Sequence, residues 1–160
     1  MDAHNTKPVA SHKAFRKWDG KTPYSIHPIW CAMTLLHETA LPGELRSTGA
    51  EALLMHDILE DTTADLPGWT SDKTRLLVNE MTFASTDEEM NLVWSRRPFV
   101  RLLKLYDKVS NLMDGAWMSD GRRRAYIKYT RKLADDVGKN FGELNIVKIT
   151  RALTINLATP

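Results

Sequence analysis

Cysteine is nearly absent: Cys31 is the single one in 160 residues. No internal disulfide can form, and a thiolate zinc site lacks its ligands. Cys31 lies in the apolar stretch IWCAMTLL, where a small buried side chain is expected. An excess of either charge is also missing. The 22 basic and 20 acidic residues leave a net charge of +2, which is no general nucleic-acid footprint, so no nucleic-acid partner is expected. No apolar run is long enough to span a bilayer, and no membrane association is expected. The opening MDAHNTKPVASHK lacks the apolar centre of a signal peptide. These absences together predict a cytoplasmic protein. There is no repeat, low-complexity tract or Gly/Ser linker. The length suits one domain with one core, so residues 1–160 are expected to form a single domain with residues 1–10 mobile.

What is present is helical periodicity. β-type alternation is scarce, and apolar-periodic segments are separated by short Pro, Gly and Asp breaks, which predicts an all-α bundle. A short helix is expected over Ser11 to Trp18, then a turn-rich loop, DGKTPYS. His27-Pro28 is expected to open the next helix, with proline tolerated in its first turn and with Ile29, Met33, Leu36 and Ala40 at helical spacing. Pro42-Gly43 reads as a break. A helix from about Thr48 carries Ala52, Met55 and Leu59 on one face and ends near Asp61. Ser71 is the expected N-cap of DKTRLLVNEM. TFASTDEEMNLVWSRR reads as a polar stretch, and Pro98 precedes a long amphipathic segment, FVRLLKLYDKVSNLMDGAWM, closed by Gly115 or Asp120-Gly121. The basic segment after Gly121 is expected to be one more helix, and the tail from Phe141 helical or mixed.

The chemistry concentrates in MHDILEDTT. At about 100° per residue Asp57 and Asp61 share one helix face, as do His56 and Glu60. Carboxylates crowded at a helix C-terminus repel one another and oppose the helix dipole. A bound cation resolves that conflict; a solvated acidic helix end is the plainer alternative. Asp107 sits in LLKLYDKVSNL among Leu102, Leu103, Leu105 and Val109, where a carboxylate needs a partner: arginine, hydrogen bonds or metal. Asn111 follows one turn later on the same face. His27 stands at the start of a helix after a loop, a position more often filled by a cap or surface residue than by a ligand. His37 is rotated away from it, and His4 and His12 fall in or near the N-terminal tail.

Taken together, H…HDxxED…D is the pattern of the HD phosphohydrolases. RKWDGKTPYSIHP, HDILEDT and KLYDKVSNLMD resemble, more closely, the hydrolase domain of the RelA/SpoT alarmone enzymes and their stand-alone versions, the small alarmone hydrolases. The resemblance runs from about Arg16 to about Tyr129. It implies one divalent ion, manganese in that family, held by His27, His56, Asp57 and Asp107. It implies that Glu60 and Asp61 handle the attacking water, and that Arg16 and Lys17 lie near the substrate with Asn111. It also implies nucleotide contacts for Arg122 and Tyr126. The chain departs from the pattern in several places. The stretches between Lys17 and Tyr24 and between His27 and His56 are longer, Tyr106 replaces a common alanine, and Asp114 replaces a small or hydroxyl residue.

The ligand types make a mixed nitrogen–oxygen site that suits Mn²⁺, with zinc and iron also compatible. Arg16, Lys17 and Arg122 match phosphate oxygens, and Tyr126 could stack on a purine. The implied reaction is hydrolysis of a guanosine 3′-pyrophosphate (ppGpp or pppGpp) with release of pyrophosphate. Three other readings compete with it. One is an HD phosphohydrolase acting on deoxynucleotides or NADPH. Another is a non-catalytic nucleotide-binding HD module. The last is a plain helical bundle, which leaves Asp107 without a partner.

Overall fold

The computed structural model describes residues 15–158, with side chains through residue 155. Seven α-helices form among them: α1 (Ile26–Leu36), α2 (Gly43–Asp61), α3 (Asp72–Met81), α4 (Thr86–Leu92), α5 (Pro98–Met113), α6 (Asp120–Phe141) and α7 (Asn145–Ala158). No strand forms among the described residues; Phe15 and Pro23 make one isolated antiparallel bridge. The all-α class expected from the periodicity is what the chain adopts.

Helix α5 is the axis of the bundle and packs against α1, α2, α3, α6 and α7. Pro98 fits its first turn because the missing N–H has no helical acceptor there. Leu102, Leu103, Leu105, Tyr106 and Val109 are all closed to solvent. Burying one such aliphatic side chain stabilises the fold by roughly 1.5–3 kcal/mol before entropy is counted. Close approach of α2 depends on Gly49. A Cβ there would stand 2.7 Å from Leu35 Cδ2, 2.9 Å from Phe99 Cζ and 3.0 Å from Leu103 Cδ2. The bundle is also closed end to end, since Glu38 Oε2 accepts the Asn145 N–H at the start of α7 (2.7 Å).

Several boundaries differ from those read in the sequence. The expected helix over Ser11–Trp18 is absent where the chain is described. Residues 17–20 form a turn, fixed by Asp19 Oδ1 accepting the Lys21 and Thr22 N–H groups and by Gly20 at φ +66°. Residues 1–10 and the histidines His4 and His12 lie outside the described residues. Helix α2 begins at Gly43 rather than near Thr48, because Pro42 sits at the extended N-cap position and Glu44 favours the first turn. The polar stretch after Thr82 contains α4, nucleated by Ser85, whose Oγ accepts the Glu88 N–H (3.1 Å). Ser71 caps α3 as expected, accepting the Thr74 N–H (3.2 Å). Helix α5 ends at Met113, with Asp114 as its C-cap just before Gly115. Gly142, at φ +82°, separates α6 from α7.

Helix α1 turns the opposite way from the apolar stripe picked out by spacing. Ile29, Met33 and Leu36 are exposed, whereas His27, Cys31, Ala32 and Leu35 are buried. The helix is apolar on most of its circumference, so periodicity alone does not select the face. The face that packs is the one carrying His27, Cys31 and Leu35 at helical spacing, and Cys31 Sγ donates to the Tyr106 carbonyl of α5 (3.5 Å).

Candidate metal centre and nucleotide cavity

Three helices deliver the polar groups to one point inside the bundle. His27 comes from the first turn of α1, His56 and Asp57 from the last turns of α2, and Asp107 from the middle of α5. The His27 and His56 side chains are closed to solvent, and Asp107 is 3% exposed. His56 Nδ1–H donates to the Leu53 carbonyl (2.7 Å), which turns Nε2 inward. His27 Nδ1 lies 2.8 Å from Ser110 Oγ, which fixes that ring in the same sense. The two Nε2 atoms then face each other at 3.3 Å. Asp107 Oδ1 stands 3.3 Å from His27 Nε2 and 3.7 Å from His56 Nε2. Ligand atoms of His27, His56 and Asp107 all fall within 4.8 Å of one another.

Asp57 flanks this trio on the imidazole side. Its Oδ1 is 3.1 Å from His56 Nε2, its Oδ2 is 3.7 Å from His27 Nε2, and the Tyr24 hydroxyl donates to Oδ2 (2.8 Å). Two imidazole nitrogens converging with carboxylate oxygens form a donor set that fits a divalent cation. The electrostatics agree. Burial opposes the His56 imidazolium, yet the carboxylates of Asp57 and Asp107 outweigh it and push its pKa up to about 9. Burial lowers that of His27. In the absence of a cation, one imidazole therefore holds a proton where positive charge is wanted.

Asp107 is gripped from behind. Its Oδ2 receives Lys104 Nζ (3.1 Å) and Lys108 Nζ (2.9 Å), and Asn111 Nδ2 donates to Oδ1 (2.7 Å). Burial works against this carboxylate, but Lys108, Lys104 and the imidazoles hold it well below the usual carboxylate range. Glu89 of α4 completes the buried network. Its Oε2 meets Lys104 (2.9 Å) and Lys108 (2.8 Å), and its Oε1 accepts the Tyr129 hydroxyl (2.8 Å). Glu60 projects beside it, with Oε1 accepting the Phe83 N–H (3.2 Å) and Lys104 (3.3 Å). Burial raises its pKa and Lys104 opposes the rise.

In front of these groups opens a cavity of about 270 Å³, whose wall includes Glu60, Asp61, Asp107, Asn111, Arg122 and Tyr126. Lys17 and Arg122 are exposed at its rim, both beside Trp117. Lys17 Nζ lies 3.9 Å from the Trp117 ring centroid and Arg122 Cζ lies 5.8 Å from it. Arg16 also lines the cavity but is 6% exposed. Its guanidinium is committed to Asp114 Oδ2 (2.8 Å), the Ser110 carbonyl (3.1 Å) and Asn111 Oδ1 (3.4 Å). This gives the Asp114 departure a physical reason, a carboxylate for Arg16. Tyr126 is 4% exposed, with Lys108 Nζ 5.7 Å from its ring centroid, so it forms wall rather than an open stacking face. His37 is exposed and turned back on its own helix, with Nδ1 2.7 Å from the Met33 carbonyl.

All eleven residues singled out in the sequence therefore meet around one cavity and the buried cluster behind it. Sequence reasoning missed Lys104, Lys108, Glu89, Tyr24, Ser110 and Trp117. The two lysines left a signal. They bracket Asp107 at i−3 and i+1 inside an apolar helix, where an unpaired ammonium is unfavourable. Glu89 left none, since a glutamate in a polar stretch looks solvated until α4 folds onto α5.

No protein-family model matches the chain. It is 34% identical over 115 residues to the guanosine-3′,5′-bis(diphosphate) 3′-pyrophosphohydrolase MESH1 of Xenopus tropicalis, which covers 64% of this chain and 62% of that protein. The chain thus spans less than two thirds of that relative. Among solved structures it superposes on a metazoan ortholog of SpoT, described as hydrolysing ppGpp and acting in starvation responses. The TM-score is 0.72 with 22% identity, over 94% of this chain and 92% of the other. The chain has the all-α fold of that SpoT ortholog.

Proposed function

We propose that the chain is a metal-dependent phosphohydrolase that removes the 3′-pyrophosphate from guanosine alarmones such as ppGpp. The observation that carries this reading is the convergence of His27, His56 and Asp107 behind a cavity that also holds Glu60 and Asp61. The relative and the solved structure that the chain resembles are described as acting on ppGpp, which supports the choice of substrate.

In this reading His27, His56, Asp57 and Asp107 hold one divalent ion, Mn²⁺. Such an ion supplies Lewis acidity toward a phosphoryl oxygen and lowers the pKa of water. Glu60 and Asp61, on the cavity side of α2, orient the attacking water and accept its proton. Lys17 and Arg122 at the rim bind the substrate phosphates, arginine with paired donors. Arg16 holds Asn111 and Asp114 in place in the wall beneath them. Trp117, 40% exposed, lies under both cations and holds them at the cavity by cation–π contact. Water attacks the phosphorus bonded to the ribose 3′ oxygen. That oxygen leaves as the hydroxyl of GDP, and the water oxygen ends in pyrophosphate.

The test is a nucleotide panel with Mn²⁺ and product identification. Pyrophosphate and GDP from ppGpp support the proposal. Orthophosphate or triphosphate released only from NADPH or deoxynucleotides would move the activity to another branch of the same chemistry. Tight nucleotide binding without turnover would make the chain a binding module.

A further inference from the structure

Lys104 has no exposure to solvent, yet its ammonium reaches carboxylates from three helices. It lies 3.3 Å from Glu60 Oε1 on α2, 2.9 Å from Glu89 Oε2 on α4 and 3.1 Å from Asp107 Oδ2 on α5. Burying an ammonium is costly unless it is paired and its donors are met, and three carboxylates stand within 3.3 Å of Lys104 Nζ. Glu89 and Asp107 each have a second cation in Lys108, at 2.8 Å and 2.9 Å. Among the described residues Glu60 pairs with Lys104 only, supported by the Phe83 N–H.

The choice of oxygens is informative. On Glu60 both contacts fall on Oε1, and on Asp107 both lysines fall on Oδ2. In each carboxylate one oxygen is tied to the interior. In Asp107 the other oxygen is the one facing the imidazoles.

We propose that Lys104 is a positioning residue, with one ammonium holding Glu60 Oε1 and Asp107 Oδ2 at a fixed separation. It thereby sets the water-facing carboxylate relative to the cation-facing one. This rests on the hydrolase reading above, in which the two carboxylates have those roles.

The test compares wild type, Lys104→Met, Lys104→Gln, Glu60→Gln and the Lys104→Met/Glu60→Gln double variant. Turnover of ppGpp is expressed per bound Mn²⁺. Lys104→Met should lower kcat by about tenfold or more with KM within about threefold, since a misplacement of about 1 Å can cost about 10²-fold. Lys104→Gln, which keeps an uncharged donor one bond shorter, should recover part of the rate. In the Glu60→Gln background, Lys104→Met should cost clearly less than it does alone, because residues acting through one another are not additive. The Mn²⁺ EPR spectrum of Lys104→Met without nucleotide should change in zero-field splitting, as Asp107 loses a tether. A merely structural lysine would reduce the folded, Mn²⁺-binding fraction and leave kcat per bound ion and the EPR spectrum unchanged. That result, additive losses in the double variant, or failure of both Lys104 variants to fold would overturn the proposal. If wild type turns over no nucleotide, the hydrolase reading fails, while the EPR comparison still reports whether Lys104 holds Asp107.

Discussion

The Nε2 atoms of His27 and His56 stand 3.3 Å apart in the closed interior, although the residues are 29 positions apart in the chain and on different helices. Neither ring can turn away without losing its outer contact, to Ser110 Oγ for His27 and to the Leu53 carbonyl for His56. Two basic nitrogens fixed face to face can share a proton or take a cation between them.

Cation binding should therefore release a proton. Without a cation the pKa of His56 is pushed up to about 9, so at pH 7 its imidazole is charged. Ligation requires the neutral ring, and about one proton should leave per Mn²⁺ bound near pH 7. Affinity should rise with pH and level off above about 9, where the metal-free ring has already lost its proton. Calorimetry in buffers of different ionisation enthalpy measures the proton count. A binding enthalpy independent of buffer at pH 7 would contradict it.

Asp107→Ala should abolish stoichiometric Mn²⁺ binding and turnover together. The variant removes an anion and leaves two buried ammonium groups, Lys104 and Lys108, behind the imidazoles with Glu89 and Glu60 as their remaining counter-charges. Metal analysis after gel filtration, alongside the ppGpp assay, checks this. Full metal content at the normal rate would take Asp107 out of the ligand set.

Glu60→Gln should keep the metal and slow turnover by about 10²-fold or more, as loss of a general base typically does. Gln keeps an acceptor for the Phe83 N–H, so the fold should be undisturbed. An unchanged kcat would remove Glu60 from the mechanism.

Tyr106 supplies a test of the core rather than the site. Its ring is fully buried and its hydroxyl is without a hydrogen-bond partner among the described residues. Tyr106→Phe removes a desolvated polar group at nearly constant shape, so it should be neutral or stabilising by up to about 1–2 kcal/mol. Denaturant unfolding measures this. A loss of more than about 1 kcal/mol would reveal a partner for the hydroxyl.

Most of the site was legible because its residues violate their surroundings. Asp107 in an apolar helix and four ionisable groups at the end of α2 are expensive unless they serve a common purpose, and they stand in short motifs in a recognisable order. The caps were legible at Ser71, where a hydroxyl precedes a periodic run. The face of α1 was not, since Ile29 and Met33 are as apolar as the buried Cys31 and Leu35 and only packing on α5 decides between them. The commitment of Arg16 was equally hidden. Its partners Ser110 and Asp114 lie 94 or more residues away, so an arginine that resembles a phosphate ligand in sequence is tied to the protein by contacts no local pattern encodes. Glu89 belongs to the same class.

The most direct test of the proposed chemistry is hydrolysis of ppGpp by the Mn²⁺-loaded protein in ¹⁸O-labelled water, with mass analysis of both products. Attack at phosphorus places the label in pyrophosphate and leaves the 3′ hydroxyl of GDP unlabelled. Label in the nucleoside, orthophosphate in place of pyrophosphate, or no turnover with the metal bound would contradict the assignment of this cluster as a 3′-pyrophosphate hydrolase centre.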